Sequence, residues 1–349
     1  MPICLSRAQR LEKTTMDHDD ILTYLIDRAG SWVSGEEMAS NLGVSRTAVW
    51  KQVQHLRTLG YDIASSTNKG YLLAEMPDLL DPEIIRFGLN TKTLGKKILC
   101  YREVGSTNEL AGSIARSSDD GTVVLAETQS EGRGRLERMW HSPAGGVWMS
   151  LILKQRIPLD QVPRINMAVG VALARAFMDL YGLKAGIKWP NDLLINDRKL
   201  CGILMEISVE TNELEHAVIG IGINANVDLE LYLPEWNATS LAKELGHKVS
   251  RVELVQKILV EIERALGDVT SEEISEEWRR RSATLGRYVK IASRTGDIYG
   301  EAVSLLDDGS LSIRLADGQM QRILAGDCIH LRDCKPQMPY SSGMVNLKL

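Results

Sequence analysis

The sequence predicts an α+β protein of several domains, with a helical N-terminal domain, a mixed α/β central domain and an all-β C-terminal domain. Three observations predict it. Residues 18–59 hold apolar positions at helical spacing in three short blocks. From 98 to 281 β-prone runs alternate with amphipathic helices. After 285, five short β-prone runs follow one another with turn residues between them. A chain of 349 residues has room for two or three such domains.

In the first domain, expected over 17–76, Ile21, Leu22, Leu25 and Ile26 share one helical face. Asp17, Asp19 and Asp20 sit at its start, where the helix dipole favours anions. Ser34 and Glu37 have capping-box spacing and open a second helix that ends near Gly43. Ser45 caps a third, with Val49, Val53, Leu56 and Leu59 on one face. Helix, tight turn, helix is the helix-turn-helix pattern. Tyr61–Leu73 then reads as a hairpin around Asn68-Lys69-Gly70, the wing of a winged helix. Residues 45–70 hold four basic side chains (Arg46, Lys51, Arg57 and Lys69) against one acidic, Asp62, while the helices before them are acidic. That contrast favours a recognition helix facing phosphate and the major groove. Arg46, Thr47, Lys51, Arg57 and Lys69 are the candidate DNA contacts, and a helical domain that binds protein or nothing is the alternative.

Met76-Pro77-Asp78 and Asp81-Pro82 mark a linker, and the central domain is expected over 77–284. Strands are predicted at 98–104, 122–127, 147–153, 185–189, 192–195, 200–209 and 214–223, the last two as a hairpin. Helices are predicted at 108–116, 165–180, 251–267 and 272–281. Residues 285–333 read as a small β-barrel of SH3-like size, with strands at 288–292, 298–306, 310–314, 321–325 and 328–331. Residues 1–16 are expected to be a disordered extension, with Met16 a candidate start, and 334–349 a loosely ordered tail. Net charge is −5, which argues against blanket nucleic-acid affinity but leaves room for one local basic face. Five cysteines without a Cys-x-x-Cys pair suit a reducing, cytoplasmic setting. No apolar run reaches the ~20 residues of a membrane helix, so no membrane partner is expected. The first 15 residues lack the apolar core of a secretory signal.

Four segments carry chemistry. Gly132-Arg133-Gly134-Arg135 combines flexible backbone with forked cationic donors, which suits a loop that closes over an anion. The others are Gly105-Ser106-Thr107-Asn108-Glu109, Lys188-Trp189-Pro190-Asn191-Asp192 followed by Asp197-Arg198-Lys199-Leu200-Cys201-Gly202-Ile203-Leu204, and Ile219-Gly220-Ile221-Gly222-Ile223-Asn224. In this order, behind a winged-helix-like segment, they resemble the bifunctional biotin protein ligase/biotin operon repressor family over residues 18–332. The arginine loop and the Lys-Trp-Pro-Asn-Asp segment are specific together, and each glycine motif alone is weak. Ser45-Arg46-Thr47-Ala48-Val49-Trp50-Lys51 also looks like that family's recognition helix.

The resemblance implies a class II synthetase-like biotinyl/lipoyl-ligase domain that uses ATP and Mg2+, with biotin as substrate and a biotin carboxyl carrier protein as acceptor. It also implies biotin operator DNA as a partner and a homodimer formed on adenylate binding. Lys188 is the first candidate for bridging biotin's carboxylate and the α-phosphate, since two anions must be joined. Arg133 and Arg135 would order over the adenylate and shield it from water, with Arg138 assisting. Ser106, Thr107, Asn108, Gln129 and Gly134 fall at family positions around biotin, their hydroxyls and amides offering the donors and acceptors a ureido group needs. Trp140 would wall the pocket, Asn224 would meet adenine, and Asp192 would hold Mg2+ through water. Two departures stand out. Leu136-Glu137 replaces a family glycine, where Glu137 would stiffen the loop or pair with Arg133 or Arg138. His141 and Ala144 replace aromatic residues near the surface the family uses to dimerise. Rival readings are a lipoate ligase, a ligase without DNA binding, and a non-catalytic biotin-sensing regulator. Absent zinc-ligand spacing, Ser-His-Asp order and a Walker loop exclude the commonest hydrolase and NTPase sites.

Overall fold

The computed structural model describes residues 18–331 apart from 59, 75–77, 155–157, 211–212, 233–236 and 294–295. The expected extension and tail, Leu59, Cys4 and Cys334 lie outside the described residues. Contacts divide the chain into two compact units at Gly88/Leu89.

The first unit builds three helices, α1 (His18–Ile26), α2 (Gly35–Asn41) and α3 (Arg46–Thr58), followed by a hairpin of β1 (Ile63–Ser66) and β2 (Gly70–Leu73) and by α4 (Pro82–Arg86). Ser34 and Ser45 both act as N-caps, their hydroxyls accepting from Glu36 N (3.2 Å) and Ala48 N (3.1 Å). The capping box does not close, because Glu37 accepts instead from the Tyr24 hydroxyl of α1 at 2.9 Å. Val49, Val53 and Leu56 of α3 are buried, as the periodicity predicts. Gly70 has φ +94, and a Cβ there would lie 2.0 Å from Val33 O. Only glycine lets the hairpin approach Val33, which exchanges backbone hydrogen bonds with Tyr71 at 2.8 Å. The Asp81-Pro82 punctuation turns out to start a helix. Asp81 caps α4 by accepting from Glu83 N at 2.9 Å, Pro82 takes the first turn, and α4 packs on α1. The first unit therefore runs beyond the linker read at 76–82.

The second unit contains β3 (Ile98–Val104), α5 (Thr107–Ile114), β4 (Val123–Gln129), β5 (Val147–Leu153), α6 (Val162–Tyr181), β6 (Gly186–Lys188), β7 (Asp192–Ile195), β8 (Arg198–Glu210) and β9 (Glu213–Ile223). It continues through α7 (Leu229–Tyr232), α8 (Leu241–Leu245), α9 (Arg251–Gly267) and α10 (Glu272–Arg281). Seven strands form one sheet in the order β3-β4-β5-β9-β8-β7-β6, parallel between β3 and β4 and antiparallel elsewhere. All seven residues of β5 are buried, as a central strand covered on both faces requires. Helix α5 and its C-cap set Ala111 and Ala115 against Val124, Ile152 and Val218. Its small residues hold the helix close to the sheet and fix its N-terminus beside β4. Helix α6 is long and mostly buried, and packs on α9 and α10. No helix among the described residues is long and apolar enough to cross a membrane.

The last strands, β10 (Tyr288–Ser293), β11 (Gly296–Leu305), β12 (Leu311–Arg314), β13 (Met320–Ile323) and β14 (Asp327–His330), form an antiparallel sheet in the order β13-β12-β11-β10-β14. It is fastened to the larger sheet at β6. Ala283 N donates to Ile187 O (2.8 Å), Trp189 N to Thr284 Oγ1 (3.0 Å) and Trp189 Nε1 to Gly309 O (3.0 Å). These bonds cover an edge strand that would otherwise expose its ladder.

Candidate active site and helix-turn-helix face

A cavity of about 390 Å3 opens over the middle of the seven-stranded sheet. Its floor is made by glycine. Gly202 of β8 and Gly222 of β9 are directly paired, and the Trp140 indole lies across them. A Cβ on Gly222 would stand 2.6 Å from Trp140 Nε1, and one on Gly202 would stand 3.0 Å from Trp140 Cζ3. Two residues earlier on β9, a Cβ on Gly220 would meet Asn108 Oδ1 at 2.3 Å. The glycines thus clear depth for an aromatic wall and an amide. Trp140 packs edge-on to Trp148, ring centroids 6.4 Å apart. Its Nε1 is buried and has no hydrogen-bond partner among the described residues.

One end of the cavity is a polar network. Ser106 caps α5, placing Thr107 and Asn108 at the helix N-terminus. Thr107 donates through N (2.8 Å) and Oγ1 (3.1 Å) to Gln129 Oε1, and Gln129 Nε2 donates to Ser142 Oγ at 2.7 Å. Asn108 Nδ2 donates to Glu206 Oε2 at 2.7 Å, and its Oδ1 accepts from Ser150 Oγ at 2.7 Å. All four predicted polar residues, Ser106, Thr107, Asn108 and Gln129, line the cavity. Ser142, Ser150 and Glu206 orient them and are not legible from sequence, because each comes from a different strand or loop.

The arginine loop forms the other wall. Gln129 N donates to Ser142 O (3.1 Å) and Trp140 N to Gly132 O (2.8 Å), so the loop closes as an irregular hairpin. Neither Gly132 nor Gly134 takes a positive φ. That conformation falls to Leu136, at φ 53. Gly132 is required by packing instead, since a Cβ would lie 2.2 Å from Trp140 O. Arg133 reaches Glu109 Oε2 at 3.4 Å. Arg135 Nη1 donates to Gly326 O (3.1 Å) and stands 3.8 Å from Asp327 Oδ1, and Arg138 pairs with Asp327. Burial pulls the Arg135 guanidinium below its usual pKa, an effect that Asp327 and Asp192 oppose. The partners of Arg133 and Arg138 are thus Glu109 and Asp327, and the Glu137 side chain lies outside the described residues.

Lys188 does not itself line the cavity but pairs across β6 and β7 with Asp192, which does. Lys188 sits half-buried at the end of edge strand β6, where its charge acts on Cys328 and His330 of β14. The lysine on the cavity is Lys199. Its Nζ lies 2.8 Å from Asp192 Oδ1 and 4.9 Å from the Trp140 ring centre. Register shifts between Leu193 and Leu194 on the facing strand, an irregularity that re-aims neighbouring side chains and that periodicity cannot show. The signal was nonetheless present, because Lys199 lies within a motif segment. Asn224 follows the glycine-floored strand β9. It is buried, donates from Nδ2 to Thr239 O at 3.1 Å, and does not line the cavity. Asp192, expected to hold Mg2+ through water, lines the cavity.

On the first unit, Arg46, Thr47 and Lys51 lie on the exposed side of α3, with Arg46 only 3.8 Å from Glu36, and Lys69 is exposed at the hairpin turn, 5.7 Å from the Trp32 ring. Arg57 departs from this set. Its Nε and Nη2 donate to Ile63 O at 2.9 and 2.5 Å, tying α3 to β1 rather than facing outward.

Comparison with known proteins places this geometry. The family model described as the Biotin/lipoate A/B protein ligase family matches residues 103–224, an HTH domain matches 18–72, and the biotin protein ligase C-terminal domain matches 284–331. The chain is 36% identical to the bifunctional ligase/repressor BirA of Bacillus subtilis, over 88% of this chain and 96% of that one. It is 30% identical to the Escherichia coli protein of the same name, over 88% and 95%. A biotin protein ligase from Aquifex aeolicus in complex with biotin and ATP superposes with TM-score 0.58 at 28% identity, covering 68% of this chain and 99% of that one. The chain belongs to the biotin protein ligase family, with the helix-turn-helix domain of its bifunctional ligase/repressor members.

Proposed function

We propose that this cytoplasmic enzyme joins biotin to a lysine of a biotin carboxyl carrier protein in two steps within the glycine-floored cavity. Biotin's carboxylate attacks the α-phosphate of ATP, expelling pyrophosphate and leaving biotinyl-AMP. The acceptor amine then attacks the acyl carbon and expels AMP. The observation that carries this reading is the cavity's division into a neutral polar end, Ser106 to Asn108 with Gln129, and a cationic end, Arg133, Arg135, Arg138 and Lys199. The first suits an uncharged ureido group, the second a carboxylate meeting a phosphate.

Lys188, paired with Asp192, and Lys199, which lines the cavity, supply the positive charge where the two anions join. Arg133 and Arg135 hold the phosphate, and the loop over them excludes water from the mixed anhydride. Trp140 walls the biotin side, and its unpartnered Nε1 is a donor for the ligand. Asp192 and Asp327 are the carboxylates lining the cavity, and no cluster of three metal-ligating side chains occurs among the described residues. This fits Mg2+ held by Asp192 through water and otherwise by the phosphates of ATP, whose charge it would neutralise.

The first unit acts in this proposal as a winged helix on biotin operator DNA, with β1 and β2 as the wing, and the last five strands as an SH3-like barrel. Adenylate binding orders the Arg133–Trp140 loop and favours a homodimer, for which Leu136 and Met139 offer exposed apolar surface. The test is ATP-dependent biotin transfer to a carboxyl carrier domain, followed by mass. No transfer with biotin and ATP present, or equal transfer of lipoate, overturns the reading.

A further inference from the structure

Helix α3 presents a large aromatic side chain to solvent. Trp50 is 53% exposed on a helix whose buried face, Val49, Val53 and Leu56, is already complete. It has no ring or cation partner among the described residues. The exposed residues of the helix begin Arg46, Thr47, Trp50, Lys51, so the indole shares a face with Arg46 one turn before it and Lys51 follows it on the adjoining exposed face. Arg46–Thr58 contains no Asp or Glu. The nearest paired carboxylate, Glu36, is 3.8 Å from Arg46 with both groups mostly in water, a contact worth little. An apolar ring framed by cations and free of carboxylates is complementary to a partner that offers phosphates outside and an apolar group between them. The major groove of duplex DNA has that layout, and the apolar group on its base edges is the thymine 5-methyl.

We propose that Trp50 is a specificity-determining residue that reads a thymine methyl in the major groove, while Arg46 and Lys51 hold flanking phosphates. This rests on the DNA-binding reading and deepens it. Phosphate contacts fix position and carry no sequence information, whereas Trp50 supplies a base contact. An apolar contact of this kind adds affinity without charge, so it contributes to sequence preference and not to salt dependence.

The experiment uses the full chain and the duplex it selects from a randomised pool, with affinity followed by anisotropy across salt concentrations. Each thymine in the selected site is replaced in turn by uracil, which removes only the methyl. Burial of one such carbon is worth a factor of about four in affinity. The wild type should lose about fourfold at one or two positions. Trp50→Ala should bind the selected duplex at least tenfold more weakly, keep the wild-type salt slope, and no longer distinguish thymine from uracil there. Trp50→Phe should retain part of the preference, and an unchanged thermal midpoint for both variants shows that the fold is intact. A Trp50→Ala variant with the wild-type uracil profile overturns the proposal, as does a loss equal on all sequences with a changed salt slope. If the wild type selects no duplex, the DNA-binding reading itself fails. If it selects one and Trp50 is indifferent to it, only this inference fails.

Discussion

Gly222 and Trp140 are complementary in outline: a Cβ on the glycine would stand 2.6 Å from indole Nε1. Gly222 does not take a positive φ, so alanine there meets no backbone strain, and its effect reports the indole alone. Gly222→Ala should displace Trp140, shift its fluorescence and weaken biotin binding by tenfold or more. Calorimetry with biotin measures it. Unaltered affinity would show that the Trp140 wall plays no part in holding the ligand.

Lys199 and Lys188 can be tested in one assay. Losing one electrostatic donor at the reacting centre typically costs ~10²–10³ in rate. Pyrophosphate release should fall by that order in Lys188→Ala and in Lys199→Ala, since both charges stand beside Asp192. A near-wild-type rate in either variant would remove that lysine from the chemistry. The position of Lys188 against β14 suggests a different signature: removing its charge should raise the His330 pKa, which an NMR titration reads directly.

His330 also makes stability depend on pH. Burial first, then the charges of Lys188 and Arg287, pull its pKa from 6.5 to about 4. Because the folded value lies below the unfolded one, the stabilisation is complete above about pH 6.5 and is lost as pH falls toward about 4. The slope from one such group is at most ~1.4 kcal/mol per pH unit, and less here because the ring is part-exposed. The thermal midpoint of the wild type should fall relative to that of His330→Gln as pH drops from about 6.5 toward about 4. Parallel curves would remove His330 from the acid response.

Asp327 tethers the arginine loop to β14 through Arg135 and Arg138. Asp327→Asn should weaken that tether, and Arg135→Gly should remove one of its strands. Both variants should release biotinyl-AMP and label lysines on an unrelated protein. Probing that protein for biotin checks this, and wild-type selectivity in both variants would argue against a loop held closed from the C-terminal sheet.

Much of this was legible from the chain alone, and what was not has physical causes. Strands β3, β5 and β7 and helices α9 and α10 fall where apolar spacing puts them, because burial on one or both faces writes a period into the sequence. Helix α4 was hidden because Asp-Pro reads equally as a linker and as a cap followed by a first turn. Ser106 to Asn108 and Gln129 were findable because they sit in contiguous motifs. Ser142, Ser150, Glu206 and Asp327 were not, since only the sheet order and the attachment of β14 bring them to the cavity. Lys188 and Lys199 show the limit most clearly. Both lie in motif segments, and a local register shift, invisible to periodicity, falls on the strand that faces Lys199.

Arg57 and Arg46 give the last test, because the sequence assigns both to DNA and the structure separates them. Arg57 donates twice to Ile63 O and fastens α3 to β1, whereas Arg46 is largely in solvent. Removing a charged donor from a part-buried carbonyl costs about 1.5–3 kcal/mol. Arg57→Ala should therefore lower the unfolding midpoint of the N-terminal unit while leaving the salt slope of DNA binding near the wild-type value. Arg46→Ala should leave the midpoint in place and reduce the slope by about 1, the loss expected for one phosphate contact. Calorimetric unfolding paired with anisotropy at several salt concentrations reads both quantities on the same samples. A reduced slope in Arg57→Ala with an unmoved midpoint would mean that the guanidinium leaves Ile63 for phosphate when DNA binds.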